Sequence, residues 1–374
     1  MQTLLLTWWT GYIGSHNAVL FLEQGYNVII IDNLSNSEEN VIEKVQKIVT
    51  LSQTERSLKF YKWDLRNTSD IEIVFSENTI DTVIHFAGAK AVGESCEKPF
   101  MYYDNNLVGT INLCKVMERY DVRNIIFSSS ATVYNPLETP PFSEVTPTGN
   151  TTNPYGTTKL LIENILRDLA THKWFNVINL RYFNPVWAHK SGLIGEDPND
   201  IPNNLLPYIM KVANGELKKV SVFGDDYDTP DGTGVRDYIH VVDLAEGHLA
   251  ALKYMSSRWK NIVSWCSEKL SESQSPIGWV FWGISGDNIL ESNSSIYQEI
   301  NLWTGNGTSV MEMIQITEEV VGNSLFYDVT PRRNGDIASA YCSPKKAKEI
   351  LWWEAKKTVK QAITDSWNFI QHNK

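Results

Sequence analysis

Apolar runs of four to five residues recur along the first half of the chain, separated by longer segments with helical periodicity. Leu4-Leu5-Leu6-Thr7 reads as a strand, and the periodic segment that follows, through Leu22, as a helix ending near Gly25. Val28-Ile29-Ile30-Ile31 is a second strand closing on Asp32-Asn33. Leu58-Lys59-Phe60-Tyr61 leads to Asp64-Leu65, and Thr82-Val83-Ile84-His85-Phe86 runs into Ala87-Gly88-Ala89. The spacing predicts a helix from Asn105 to Met117, a strand at Asn124-Ile125-Ile126-Phe127 ending in Ser128-Ser129-Ser130, a long helix from Pro154 to Leu169, and a strand at Val177-Ile178-Asn179-Leu180. Apolar runs without alternation, joined by helices, indicate a parallel sheet covered on both faces: an α/β, doubly wound fold. Ligands bind such sheets beyond the carboxyl ends of the strands. The polar residues there, Asp32, Asp64, Gly88, Ser130 and Asn184, are therefore site candidates. Beyond about residue 184 the chain turns rich in Pro, Asn and Gly, as expected of a smaller substrate-covering domain.

Composition narrows the classes. A chain of 374 residues with 42% hydrophobic and 21% charged residues is ordinary for a soluble globular protein. Its net charge of −11 argues against binding nucleic acid by phosphate neutralisation. Cys96, Cys114, Cys266 and Cys342 are scattered, with no C-x-x-C pair and no His cluster, which suits reduced packing thiols and a cytoplasmic location better than disulfides or zinc. The apolar run at the start is too short for a signal peptide or a membrane span.

The first strand, helix and second strand make a dinucleotide-binding unit, with phosphates at the helix N-terminus and Asp32 placed for a ribose hydroxyl. Its spacing fits a G-x-x-G-x-x-G variant with glycines at 8, 11 and 14. Gly11 and Gly14 are present, but Trp8, followed by Trp9, stands at the first tight turn. A side chain there costs roughly 1–2 kcal/mol in the left-handed region, and the ring would fill phosphate space.

Catalytic chemistry is carried by Ser130, Tyr155 and Lys159. Tyr155-Gly156-Thr157-Thr158-Lys159 sets a phenol and an ammonium four residues apart on one helix face. A free Tyr, with a pKa of about 10, is a poor base at neutral pH; a nearby cation lowers that value. Ser130, at a strand end, is placed to orient a substrate alcohol. The set suits moving a proton on and off an alcohol while a nicotinamide exchanges hydride. On a helix surface Y-x-x-x-K alone is usually just a solvated face; the nucleotide-binding unit and the Ser-Ser-Ser strand end raise it.

At this point the chain resembles the UDP-glucose 4-epimerases, a family of extended short-chain dehydrogenases/reductases. The resemblance runs nearly end to end. It is carried by Gly11-Tyr12-Ile13-Gly14-Ser15-His16, His85-Phe86-Ala87-Gly88, Ala91-Val92-Gly93-Glu94-Ser95, Tyr103-Asp104-Asn105-Asn106, Ser128-Ser129-Ser130-Ala131-Thr132-Val133-Tyr134, Asn153-Pro154-Tyr155-Gly156, Arg181-Tyr182-Phe183-Asn184-Pro185, Ile201-Pro202-Asn203-Asn204-Leu205, Gly234-Val235-Arg236-Asp237-Tyr238-Ile239-His240 and Pro331-Arg332-Arg333.

The resemblance implies a Rossmann-like NAD domain over residues 1–184, rejoined by about 238–304, and a mainly UDP-sugar-binding domain over 185–374. It implies NAD as cofactor, UDP-glucose and UDP-galactose as substrates, and a homodimer. Tyr155 would take the proton of the sugar 4-hydroxyl as hydride leaves C4, and Lys159 would tune Tyr155 and hold the nicotinamide ribose. Cofactor contacts would be Gly11, Tyr12, Ile13, Gly14, Asp32, Asn33, Asp64, Leu65, Phe86, Ala87, Gly88, Lys90, Asn105, Tyr155, Lys159 and Phe183. Substrate contacts would be Ser130, Asn184, Asn204, Phe223, Arg236, Arg333 and Asp336, the two arginines suiting a diphosphate by bidentate contacts. His85 and His240, without metal-ligand company, read as structural. Sugar-nucleotide dehydratases share the fold but carry an acidic pair where this chain has Ala131-Thr132-Val133. Family members restricted to unmodified hexoses tend to carry Tyr at the position of Ala340; a small residue there implies room for an N-acetylated sugar, unless Tyr341 fills the space.

Two departures remain. Trp8, Trp9, Trp63, Trp187, Trp303 and Trp352 stand where the family usually holds or tolerates glycine, and thirteen Trp is many for this length. Gly and Trp are near opposites in size, so the expectation is a codon read as glycine and rendered as Trp, such as a reassigned stop codon. The alternatives are sequencing error or a decayed, nucleotide-sugar-binding pseudoenzyme unable to hold NAD. The second departure is a Ser-rich surface insertion near 256–296, between a helix ending at Tyr254-Met255 and the strand before Asn301-Leu302.

Overall fold

Leu4 and Leu6 face one way from the first strand, Leu5 faces the other, and all three are fully buried. That two-sided burial is why the strands read as unbroken apolar runs rather than alternating ones. The computed structural model describes residues 2–8, 11–35, 38–51, 57–86, 88–196, 202, 204–272, 295–333 and 337–372, without the side chains of 51 and 258–272. Trp9, Ala87, Asp336 and residues 273–294 of the expected insertion lie outside these.

The strands are β1 (Thr3–Thr7), β2 (Asn27–Asp32), β3 (Leu58–Lys62), β4 (Thr82–His85), β5 (Asn124–Ser130), β6 (Asn176–Tyr182), β7 (Asn184–Val186), β8 (Val220–Phe223), β9 (Val235–His240), β10 (Tyr297–Asn301), β11 (Gly307–Ser309), β12 (Tyr327–Thr330) and β13 (Ser339–Ala340). Seven form one parallel sheet in the order β10-β6-β5-β4-β1-β2-β3. The direction of winding reverses at β1, so a crevice opens between the carboxyl ends of β1 and β4. Leu4, Leu6, Ile30, Ile84, Ile126 and Ile178 build the core on one face, with the helices Tyr12–Glu23 and Val241–Glu272. On the other face Leu5, Ile29, Ile31, Val83, Ile125 and Val177 pack with Thr68–Glu77, Gly109–Arg119 and Pro154–Lys173.

A second core lies apart. Leu206, Ile209 and Met210 of the helix Leu205–Ala213, Met313 and Ile314 of Val310–Val321, and Ala362 and Ile363 of Val359–His372 pack with Val220 and Val222 of β8. There β12 pairs with β8, while β9 is joined by β7, β11 and β13.

The structure corrects two expected boundaries. The helix expected to end at Tyr254-Met255 continues to Glu272, so the first part of the expected insertion, residues 256–272, is helical. Asn105 begins no regular α-helix: Tyr103–Val108 is a wider π-type turn leading into Gly109–Arg119. The Thr110 hydroxyl donates to the Asn106 carbonyl at 2.6 Å and lies 2.8 Å from His85 Nε2, tying this turn to β4.

Candidate active site

The crevice between β1 and β4 is lined on one side by the turn into the first helix. Gly11 precedes that helix, and a Cβ built on it would meet nothing within 4 Å, so open space adjoins the helix N-terminus where phosphates are held. Tyr12 starts the helix with its hydroxyl buried and unpartnered. Ile13 packs on the first core, and Gly14 is buried within the helix. Asp32 ends β2 almost fully buried, and its Oδ1 accepts the Leu34 N–H at 2.8 Å. Asn33 Nδ2 donates to Asp64 at 3.0 Å. The Arg66 guanidinium beside Asp64 holds that carboxyl down at about 2. Leu65 is buried behind it, Phe86 lies against His248, and Gly88 adopts φ +88°, open to glycine but strained for other residues. Asn105 Oδ1 is buried without a partner. A nucleotide cofactor fits this lining, with open space at a helix N-terminus and unpaired polar atoms facing burial. Trp8 is the exception, because its Cζ3 would lie only 2.7 Å from a Cβ on Gly88.

Ser130, Tyr155 and Lys159 come together at the carboxyl end of β5. Asn153 caps the helix Pro154–Lys173, its Oδ1 accepting the Gly156 N–H at 2.9 Å, and this cap fixes where Tyr155 emerges. Ser130 Oγ accepts the Thr132 N–H at 3.2 Å and the Thr132 hydroxyl at 3.0 Å, and Ser130 acts on the Tyr155 hydroxyl from the same strand end. Lys159 Nζ donates to the Ser128 carbonyl at 2.7 Å and sits 5.8 Å from the centroid of the Tyr155 ring. Burial pushes the Lys159 ammonium down to about 7, with the Glu163 carboxylate opposing. Burial also raises the Tyr155 pKa, and Ser130 opposes it. The expected lowering of Tyr155 by its cation is therefore not what the protein chain provides by itself.

The substrate-side residues cluster on β9 and its neighbours. Asn184 is in register with Tyr238 on β9, and its Nδ2 donates to the Asp237 carbonyl at 3.3 Å. The guanidinium groups of Arg236 and Arg333 both act on the buried Tyr238 hydroxyl, and Arg333 lies over the Phe223 ring at 4.7 Å. Phe183 stacks on Trp303 at 6.0 Å. Asn204 reaches Glu196 at 2.8 Å, and Lys90 lies 3.6 Å from the same carboxylate. Glu196 thus bridges a cofactor-side and a substrate-side candidate, a link with no signature in the sequence.

Glu163 was also missed. It is fully buried, accepts the Ser129 hydroxyl at 2.5 Å, and pairs with Arg181 at 2.6 Å. Its signal was available: Tyr155, Lys159 and Glu163 continue one helix face at intervals of four. His85 links Thr7 and Thr110, at 2.7 and 2.8 Å, and burial lowers its pKa to about 3. His240 lies 3.2 Å from Asp365. Both histidines are held as core groups, as expected. Cys114 and Cys342 are buried packing thiols, whereas Cys96 is exposed and so does not pack as expected.

Residues 4–263 match the NAD dependent epimerase/dehydratase family. The chain belongs to this family. The UDP-glucose 4-epimerase of Bacillus subtilis (strain 168) is 48% identical over 374 residues, covering 100% of this chain and 98% of that protein. The UDP-glucose 4-epimerase of Bifidobacterium longum, solved in complex with NAD+ and UDP, is 46% identical, covers 100% of this chain and 99% of its own, and has a TM-score of 0.83. The UDP-Glc/GlcNAc 4-epimerase of Campylobacter jejuni is 31% identical with full coverage of both chains and a TM-score of 0.77. The two solved epimerases share this fold, and the similarity extends over the second core as well. Nothing in it favours a pseudoenzyme.

Proposed function

We propose that this protein interconverts UDP-glucose and UDP-galactose with NAD, through a sugar oxidised at C4. The observation that carries the reading is the Ser130–Tyr155–Lys159 cluster beside an open helix N-terminus, in a chain 48% identical end to end to a UDP-glucose 4-epimerase.

Gly11, Tyr12, Ile13 and Gly14 would hold the cofactor diphosphate, Asp32 and Asn33 its adenosine ribose, and Lys159 its nicotinamide ribose. Asp64, Leu65, Phe86, Ala87, Gly88, Lys90, Asn105 and Phe183 would line the remainder. Bound NAD supplies a hydride acceptor and donor at the sugar C4, and a positive charge near Tyr155. Asn184, Asn204, Phe223, Arg236, Arg333 and Asp336 would grip the UDP moiety, and leave the sugar free to turn. Ser130 would orient the 4-hydroxyl while Tyr155 takes its proton, then return that proton once the ring has presented its other face. Lys159, with its ammonium fixed on the Ser128 carbonyl, favours the phenolate.

The test is Tyr155→Phe, which should keep UDP binding and lower turnover by on the order of 10²–10⁴-fold. Full activity in that variant would remove Tyr155 from its role.

The proposal extends to substrate range and assembly. Ala340 is buried and in register with Arg236, and a methyl group at that position would leave room for an acetamido group unless Tyr341 fills the space. UDP-N-acetylglucosamine is then a second substrate. A homodimer is supported by exposed apolar side chains on the helix Pro154–Lys173 and on elements that pack against it: Phe100, at 88% exposed, and Val92, Val108 and Leu161. A cytoplasmic location is supported by the free thiols of Cys96, Cys114 and Cys342. Among the described residues no helix is long and apolar enough to cross a membrane. The division into an NAD lobe around the seven-stranded sheet and a UDP-sugar lobe around the second core belongs to the same proposal.

A further inference from the structure

Seven non-glycine residues among those described have positive φ: Trp8, Leu34, Asp121, Asn150, Trp174, Trp187 and Trp352. Asp and Asn are the residues that visit this region most readily, whereas bulky residues are outliers there. Four of the seven are tryptophan. We infer that the protein made in its own cells carries glycine at positions 8, 174, 187 and 352, through a codon that its translation apparatus reads as glycine.

Each position supports this in its own way. Trp174 (φ 60°, ψ 29°) follows the last residue of the helix Pro154–Lys173, and Trp352 (φ 55°, ψ 34°) follows the turn Ala347–Leu351. A left-handed residue just past a helix is the place where glycine is most favoured. Neither ring gains burial in return, since Trp174 is 65% and Trp352 92% exposed. Trp187 (φ 94°) is the converse case. Its ring is buried against His240 at 5.3 Å, yet its indole N–H has no hydrogen-bond partner. Buried indoles normally find an acceptor. Trp8 (φ 52°) sits at the mouth of the crevice with its ring pressed toward Gly88, in the space that the cofactor would need.

The other tryptophans whose side chains are described serve as an internal control. Trp63 and Trp303, where the sequence also leads to an expectation of glycine, do not have positive φ, so the backbone does not call for glycine there, and neither do Trp353 and Trp367. Trp353 is buried with its Nε1 donating to the Asp243 carbonyl at 3.1 Å, and Trp303 donates to the Arg181 carbonyl at 3.1 Å. The backbone therefore separates two kinds of position that share one letter in the sequence. Trp174 is the informative addition, because no motif marks it and only its left-handed backbone does. The inference stands on backbone geometry at 174, 187 and 352, and only at position 8 does it also rest on the proposed NAD site.

The test reads residue identity, not activity. Protein isolated from its own cells is digested, and the peptides spanning 8, 174, 187, 352 and 353 are sequenced by mass spectrometry. Glycine is expected at the first four and tryptophan at 353, with the gene using one codon for the four and a different codon for 353. Tryptophan at 174, 187 and 352 in the native peptides would overturn the inference. As a second measurement, the chain made with tryptophan at all four positions is compared with the variant Trp8→Gly, Trp174→Gly, Trp187→Gly, Trp352→Gly. The variant should melt at the higher temperature and retain NAD through gel filtration, while the tryptophan chain loses it. Equal melting temperatures would count against the inference whether or not either chain is active.

Discussion

The Lys159 ammonium is aimed at the Ser128 carbonyl, 2.7 Å away at the carboxyl end of β5. The side chain is almost fully buried, so the strand end holds a cation with little help from water. The bond fixes Lys159 one helical turn beyond Tyr155, with its ammonium 5.8 Å from the centroid of the Tyr155 ring.

A pH dependence follows. The Lys159 pKa falls from an ordinary 10.5 to about 7 in the folded chain, chiefly through burial. Between those values the unfolded chain binds the extra proton, so folding stability should rise with pH across that window. Below about 7 the ammonium is charged in both states and the cost of burying it is borne in full. Chemical denaturation of wild type and Lys159→Met from pH 6.5 to 10 measures this. The wild type should gain stability relative to the variant as pH rises, and parallel profiles would count against a depressed lysine.

Substrate range is read at Ala340. The protein should epimerise UDP-N-acetylglucosamine as well as UDP-glucose, and Ala340→Tyr should suppress the first reaction while sparing the second. Equal loss of both would mean that the substitution disturbs Arg236, its register partner, rather than the sugar wall. Good turnover of UDP-glucose with none of the N-acetylated sugar would contradict the small-residue argument.

Assembly is read at Phe100. Light scattering on purified protein should give twice the chain mass, and Phe100→Glu should shift it toward the monomer. A wild-type monomer would leave the exposed face around Phe100 without its proposed partner.

Much of this architecture was legible in the sequence because two-sided burial leaves a plain mark: Leu4-Leu5-Leu6, Val28 to Ile31 and Asn124 to Phe127 can only be strands of a covered sheet. The Tyr155–Lys159 face was legible for the same reason, since helical spacing brings the two together before any tertiary contact forms. The wide turn at Tyr103–Val108 was not, because it depends on Thr110 reaching His85 on a distant strand. Nor was the bridge made by Glu196 to Lys90 and Asn204, or the pairing of Glu163 with Arg181, since partners that far apart in the chain meet only in the fold. The Tyr155 pKa misled in the other direction: spacing announced a nearby cation but could not show that burial would raise the phenol above its ordinary value. Trp174 shows the limit most simply, for its left-handed backbone and exposed ring set it apart from the buried Trp353, and neither is written in the sequence.

The most direct measurement of the account follows the hydrogen on C4. Native protein is given UDP-galactose carrying deuterium at C4, in ordinary water, and the UDP-glucose formed is examined by mass spectrometry and NMR. Hydride that leaves and returns within one site should leave the label at C4 of the product, with turnover slower than for unlabelled sugar and slowed further by Tyr155→Phe. Deuterium lost to solvent, or UDP-glucose formed at an undiminished rate by Tyr155→Phe, would contradict the account.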